Sequence, residues 1–275
     1  MSSIWLQRMS APKAMCKAVS DGNMVELRKL LPDCDVNAAS DPDSKYCGKA
    51  PLHIVCESGR LNVLNLLLSV PSIDVNARTP YNETPLYFAC QHGHVEVVLL
   101  LLARPETNVN MTSGNHWSPL HSASENGFVE VVQLLLSRPE IEVNGMAWRR
   151  TPLQLAFYQG HQAVARMLLQ HPSIVVNLDE HPSPLDLALK RRHDSLLAAL
   201  GLHCVDFFES EAPSETSKLY WTKFFDPAFP IDTTARSTIL ESIVADAPDA
   251  IRPKIYDHLT HNFAAGHPFL DVVPC

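Results

Sequence analysis

This chain copies one short pattern five times, and that repetition leaves few folds open to it. Ala-Pro-Leu-His at 50–53, Thr-Pro-Leu-Tyr at 84–87, Ser-Pro-Leu-His at 118–121, Thr-Pro-Leu-Gln at 151–154 and Ser-Pro-Leu-Asp at 183–186 can be laid over one another. Their prolines, Pro51, Pro85, Pro119, Pro152 and Pro184, step by 34, 34, 33 and 32 residues. Gly59, Gly93, Gly127 and Gly160 follow in step, and a Val-Asn pair recurs, ending at Asn37, Asn76, Asn110, Asn144 and Asn177. Independent markers sharing a period of this length signify one supersecondary unit repeated along the chain.

The unit has a direct physical reading. Thr84 and Ser118 are good N-caps, and the proline that follows sits at the first helical position, where its missing N–H costs nothing. A short helix then runs to the glycine, a helix-stop signal. The second helix carries Val-Glu-Val-Val-Leu-Leu-Leu-Leu at 95–102 and Val-Glu-Val-Val-Gln-Leu-Leu-Leu at 129–136. One such pair is too small to bury its apolar faces, so neighbouring pairs must stack into a solenoid.

On these segments the chain resembles the ankyrin repeats, whose signature is Thr-Pro-Leu-His-x-Ala. The resemblance covers residues 13–201, about 70% of the chain. It implies an all-α solenoid of about six helix-turn-helix units with short hairpin tips. Residues 13–48 read as an amino-terminal cap, with Gly22 and Asp35-Val36-Asn37 but no Thr-Pro-Leu-His. Residues 183–201 read as a closing cap, with His193 in the place of the glycine. The chain departs from the commonest pattern at Ser-Arg-Pro-Glu-Ile-Glu-Val-Asn (137–144), where a shorter glycine turn is usual, and its last two tips are shorter than the others. The resemblance also makes His53 and His121 ties between neighbouring repeats rather than metal ligands or catalysts. It places Cys56 and Cys90 at a small core position of the first helix, where a free thiol is at home.

After Gly201 the repeat stops. Residues 202–275 hold eleven acidic and five basic residues, a net of −6, together with ten of the chain's twenty aromatics. Disordered acidic tails are poor in aromatics, so the expected organisation is a repeat domain over 1–201 and a helical extension over 202–275 docked on it. Ser210 to Ser217 reads as a polar loop, and Leu219 to Phe225 as an apolar segment. Thr233–Ala245 and Pro248–Phe263 read as helices, the second with Ile251, Ile255 and Leu259 on one face. The composition leaves open whether this extension caps the last repeat or roofs the groove.

Charge and cysteine usage narrow the function. A net charge of −8 and the lack of clustered Lys and Arg disfavour nucleic acid as partner. The longest apolar run, Val97 to Ala103, is seven residues, against about 20 for a membrane-spanning helix, and the amino terminus has no secretory pattern. Seven cysteines, an odd number without Cys-x-x-Cys, disfavour a disulfide framework and a zinc ribbon. The expected setting is cytoplasmic or nuclear, with no metal or cofactor.

Recognition is the leading functional reading. In ankyrin-like repeats, partners meet the residues before the mid-repeat glycine and the hairpin tips. Those are Glu57, Ser58, Gln91, His92, Glu125, Asn126, Tyr158 and Gln159, with Tyr81, Glu83, Trp117, Trp148, Arg149 and Arg150 at the tips. Trp, Tyr and Arg are the types enriched in binding hot spots. The expected partner is a protein held in the concave groove. A second reading is an enzyme or a binder of an apolar small molecule, its pocket roofed by Trp221, Phe224 and Phe225. Asp257, His258 and His261, three or four apart on a helix, would supply acid–base chemistry without a cofactor. His267 lies further along the same stretch. A third reading is a ubiquitin-ligase adaptor, because residues 247–259 resemble the helix of F-box-like tails.

Overall fold

Each copy of the pattern folds as its end signals dictate. Thr84 Oγ1 accepts the backbone N–H of Tyr87 at 3.2 Å and Ser118 Oγ that of His121 at 3.3 Å, with Pro85 and Pro119 in the first helical turn. Gly59 and Gly127 end their helices with φ of +69° and +75°, the left-handed conformation that glycine adopts without steric cost.

The computed structural model describes residues 2–178, 183–191, 193–209, 212–226, 231 and 233–262. The amino-terminal pair is α1 (Ser2–Asp21) and α2 (Met24–Leu30), beginning well upstream of residue 13. Four further pairs follow: α3 (Pro51–Ser58) with α4 (Leu61–Leu68), α5 (Pro85–Gln91) with α6 (Val95–Leu102), α7 (Pro119–Asn126) with α8 (Val129–Leu136), and α9 (Pro152–Gln159) with α10 (Gln162–Leu169). The closing pair is α11 (Pro184–Arg191) and α12 (Asp194–His203). Beyond it lie α13 (Asp206–Glu209), α14 (Glu215–Phe225), α15 (Thr233–Asp246) and α16 (Arg252–Asn262). The chain forms two compact units, Met1–Pro152 and Leu153–Cys275.

In the first unit the first helices α1, α3, α5 and α7 pack in one file, and α4, α6 and α8 in another. Between the files lie Leu52, Val55, Cys56, Leu64, Leu67, Leu86, Ala89, Cys90, Val98 and Leu101, all fully buried. Burial pushes the Cys56 and Cys90 thiols far above the ordinary cysteine range, so both are inert core residues. The six described cysteines are all free thiols.

The recurring Val-Asn pair has a structural purpose. Asn37, Asn76 and Asn110 each reach into the following repeat, donating Nδ2–H to the carbonyls of Ser72, Glu106 and Glu140 at 2.6 to 2.7 Å. Their Oδ1 atoms accept the N–H groups of Asp74, Asn108 and Glu142 at 2.8 to 2.9 Å. Each side-chain amide thus replaces one rung of a strand ladder between loops that have no strand of their own. Asn110→Ala removes both bonds at an exposed position and is expected to lower stability by about 1 kcal/mol, read from urea unfolding. An unchanged midpoint would show that solvent replaces the bridge without loss.

The second unit joins the last two helix pairs to the extension. α12 packs on α10, α11, α14 and α15, and α13 packs on α14 and α16. Tyr220 donates its hydroxyl to Leu197 O and Trp221 its Nε1–H to Cys204 O, both at 2.9 Å. The extension therefore covers the second helix of the closing pair. Trp221 and Phe224, considered above as roof residues, are buried in this seam, and Phe225 stacks on Trp221.

Three local expectations are corrected. The polar loop ends at Ser214, whose side chain caps α14, so Glu215, Thr216 and Ser217 are helical. The last helix starts at Arg252 rather than Pro248, with Ile251, Ile255 and Leu259 buried as expected; Phe263 lies outside the described residues. His193 does not replace the glycine. It is the N-cap of α12 and lies over Gly160, as His94 lies over Gly59. The register of the repeat already separates the two positions: each glycine lies eight residues after its proline, and eight after Pro184 is Arg192, one residue before His193.

Candidate functional site

The tips are where the repeats differ from one another. In Thr79–Glu83 the N–H of Asn82 bonds Thr79 O and that of Thr79 bonds Glu83 O, at 2.9 and 3.0 Å. Ser113–Trp117 repeats this geometry with both bonds at 2.9 Å. Each tip places one residue in the left-handed region, Asn82 at φ +62° and His116 at φ +63°. The next tip is shorter. Ala147 and Arg150 exchange both backbone bonds at 2.9 Å, leaving a two-residue turn in which Trp148 has φ +51° and Arg149 φ +62°.

Such a turn ordinarily carries Asn-Gly. Holding two bulky residues there costs on the order of 1 kcal/mol each. Trp148 is nonetheless 73% exposed, so internal packing of its ring does not account for this arrangement.

Adjacent tips in the first unit are joined where Gly114 N–H donates to Tyr81 O at 2.7 Å. Beside this link lies a cavity of about 500 Å³ whose wall includes Tyr81, Glu83, Tyr87, Trp117 and Glu125. Tyr81 is exposed, Trp117 is half-buried with its ring 6.0 Å from that of His121, and Tyr87 is buried. Burial raises the pKa of the Tyr87 phenol, with the charges of Glu83 and Glu125 adding to the effect.

Other expected contact residues are engaged locally. Glu57 pairs with Lys49 at 2.7 Å. Ser58 Oγ donates to Val55 O at 3.3 Å, Asn126 Nδ2 to Ser122 O at 2.9 Å, and His92 Nδ1 to Phe88 O at 3.0 Å. In the second unit the Arg191 guanidinium lies 4.3 Å over the Tyr158 ring, while Gln159 is exposed. Gln91 is exposed as well. Thus Tyr81, Glu83, Trp117 and Glu125 come together at one cavity, and Trp148, Arg149 and Arg150 share one tip. Tyr87 was missed by sequence reasoning. Its signal is the tyrosine that replaces the signature histidine of Thr-Pro-Leu-His.

The two signature histidines tie repeats together. His53 Nε2 donates to Ala77 O at 2.9 Å while Nδ1 accepts the N–H of Ala50 at 3.1 Å. His121 makes the same pair with Gly145 O at 3.0 Å and Ser118 N–H at 3.2 Å. Burial lowers the pKa of both, that of His121 to about 4.

On α16, Asp257 and His261 are exposed, and His261 Nδ1 donates to the backbone carbonyl of Asp257 at 2.6 Å. His258 is turned the other way. Its ring packs on Phe207, Phe208 and Phe225 with centroids 5.4 to 5.5 Å apart, and partial burial lowers its pKa. The three groups therefore do not converge. His267 lies outside the described residues. Among the described residues no His, Cys, Asp and Glu cluster could hold a metal ion, and no helix is long and apolar enough to cross a membrane.

The chain matches the family model for ankyrin repeats (3 copies) over residues 15–113 and 105–180. No curated protein matches it.

Proposed function

The chain belongs to the ankyrin-repeat family, and we propose that it is an interaction module whose hairpin tips and first-helix ends hold a protein partner. Repeats of this family generally mediate protein–protein interaction. The observation that carries the reading here is the 147–150 tip. A tryptophan and an arginine occupy left-handed positions that glycine or asparagine would fill without strain, and the tryptophan projects outward. Strain of this kind is retained where function uses it, and an exposed Trp beside Arg is the composition of a hot spot.

Trp148→Ala tests the reading. It removes an exposed ring and keeps a Cβ at the same left-handed position, so the backbone is no more strained than before and the fold is expected to persist. Affinity for a protein partner isolated with the wild-type chain should fall by about 2 kcal/mol, roughly 30-fold. An unchanged dissociation constant in a titration would place the partner surface elsewhere. Trp117 is the poorer probe. Its ring packs on His121, so its loss weakens the repeat as well as the surface.

A further inference from the structure

We infer that the 145–150 tip is a plug: the Trp148 ring enters an apolar pocket on the protein partner, and Arg149 meets carboxylates on the rim of that pocket. The inference rests on the interaction-module reading and specifies the surface that such a partner presents.

Shape is the first argument. Trp148 stands in a two-residue turn and is 73% exposed, and Met146 at the foot of the same turn is 53% exposed. A ring projecting from a turn has both faces in water, so a flat surface covers only part of it. Complete desolvation, which removes about 150–250 Å² of aromatic surface from water, needs a concave site. Interface anchors are most effective in such fully desolvated pockets. Met146 adds a flexible apolar side chain at the mouth.

The plug is held in place before any partner arrives. Ala147 is fully buried and exchanges both backbone hydrogen bonds with Arg150 at 2.9 Å. At the foot of the tip, Gly145 O accepts the Nε2–H of the buried His121 at 3.0 Å. A side chain presented on a fixed backbone has less freedom to lose on binding.

Charge specifies the rim. The chain has 30 acidic residues against 22 basic ones, yet Gly145-Met146-Ala147-Trp148-Arg149-Arg150 holds two basic residues and no acidic one. Among the described residues Arg149 is exposed and forms no ion pair. Its planar fork matches a carboxylate through two parallel hydrogen bonds. The neighbouring tips differ. Glu83 follows two residues after the exposed Tyr81, and Trp117 is half-buried with its ring near that of His121.

The test uses the full chain, isotopically labelled, and three hosts that share one apolar cavity but differ at the rim. Carboxymethyl-β-cyclodextrin is anionic, unmodified β-cyclodextrin neutral and amino-β-cyclodextrin cationic. Saturable amide shifts centred on 145–150 are expected. The anionic host should bind at least about threefold more tightly than the neutral one, and the cationic host should be the weakest. Arg149→Gln should bring the anionic host to the affinity of the neutral one. Trp148→Ala should abolish the shifts for all three while the circular dichroism stays unchanged. Toward the protein partner isolated with the wild-type chain, Arg149→Gln should weaken binding about threefold at low salt and less at high salt.

Shifts centred elsewhere, equal binding of the three hosts, or an anionic preference that survives Arg149→Gln would overturn the inference. Sedimentation of the chain with phosphatidylcholine–phosphatidylserine vesicles, if it depends on Trp148, would also overturn it and assign the tip to a lipid surface. The two readings fail separately. With the Trp148→Ala effect on the partner intact, equal host binding removes only the acid-rimmed pocket. Host binding as expected, with Trp148→Ala silent toward the partner, would instead remove the interaction-module reading of this tip and the inference with it.

Discussion

Trp221→Ala is expected to destabilise the second unit by about 4 kcal/mol, the largest single-residue effect foreseen for this protein. The side chain is fully buried and lies against Phe208, Tyr220, Phe224 and Phe225, with ring centroids 4.8 to 5.5 Å away. Truncation to alanine removes that burial, opens a cavity in an aromatic seam that cannot collapse onto it, and leaves Cys204 O without the Nε1–H donor. Trp221→Phe separates the contributions. It keeps much of the apolar contact but loses the hydrogen bond, and should cost about 2 kcal/mol. Denaturant unfolding followed by circular dichroism measures both. A loss under about 1 kcal/mol for the alanine variant would show that the extension is only loosely held on α12.

Acid is expected to weaken the first unit through His121. In the folded chain its imidazole is neutral, with Nδ1 accepting from the Ser118 N–H and Nε2 donating to Gly145 O. Protonating Nδ1 destroys the acceptor and places a charge in a buried site, so burial holds the pKa down to about 4. The unfolded chain takes up the same proton near pH 6.5. Protons therefore bind the unfolded state more tightly, and protonation favours unfolding. The stability that neutral His121 confers is fully present above about pH 6.5 and is lost as the pH falls towards about 4, a total of about 3 kcal/mol. His53, lowered in the same direction by its own burial, adds to the trend. His121→Gln should flatten the dependence between about pH 7.5 and 4.5, since glutamine is neutral throughout and already occupies the equivalent position as Gln154, where it is buried. A variant with the same acid slope as the wild type would exclude His121 as its source.

Both predictions rest on residues whose surroundings were legible in the sequence to different degrees. His121 was readable as a tie between repeats, because its place within Ser-Pro-Leu-His sets its distance from the cap and from the following tip. Trp221 was readable only as one of many aromatics in an acidic segment that ought to fold. Its seat against α12 depends on meeting Cys204 and Leu197, and no periodicity in residues 202–275 announces that meeting. His258 shows the same limit. Beside Asp257 and His261 it looked like part of a polar cluster, yet it is turned inward by contacts with Phe207 and Phe208, about fifty residues earlier in the chain.

The helix pairs and their order follow from the chain alone, because caps, N1 prolines and terminal glycines act over three or four residues and the repeat multiplies each signal. Tertiary structure decided the rest. It folded Trp148 and Arg149 into left-handed positions, because a tip one residue shorter closes as a two-residue turn, and such turns favour positive φ in keeping with the twist of the segments they join. It brought Tyr81, Glu83, Tyr87, Trp117 and Glu125 around one cavity, because stacking neighbouring repeats places side chains from successive copies side by side. It laid the extension on α12, because an aromatic face finds its cover through packing and buried hydrogen bonds that no local pattern encodes.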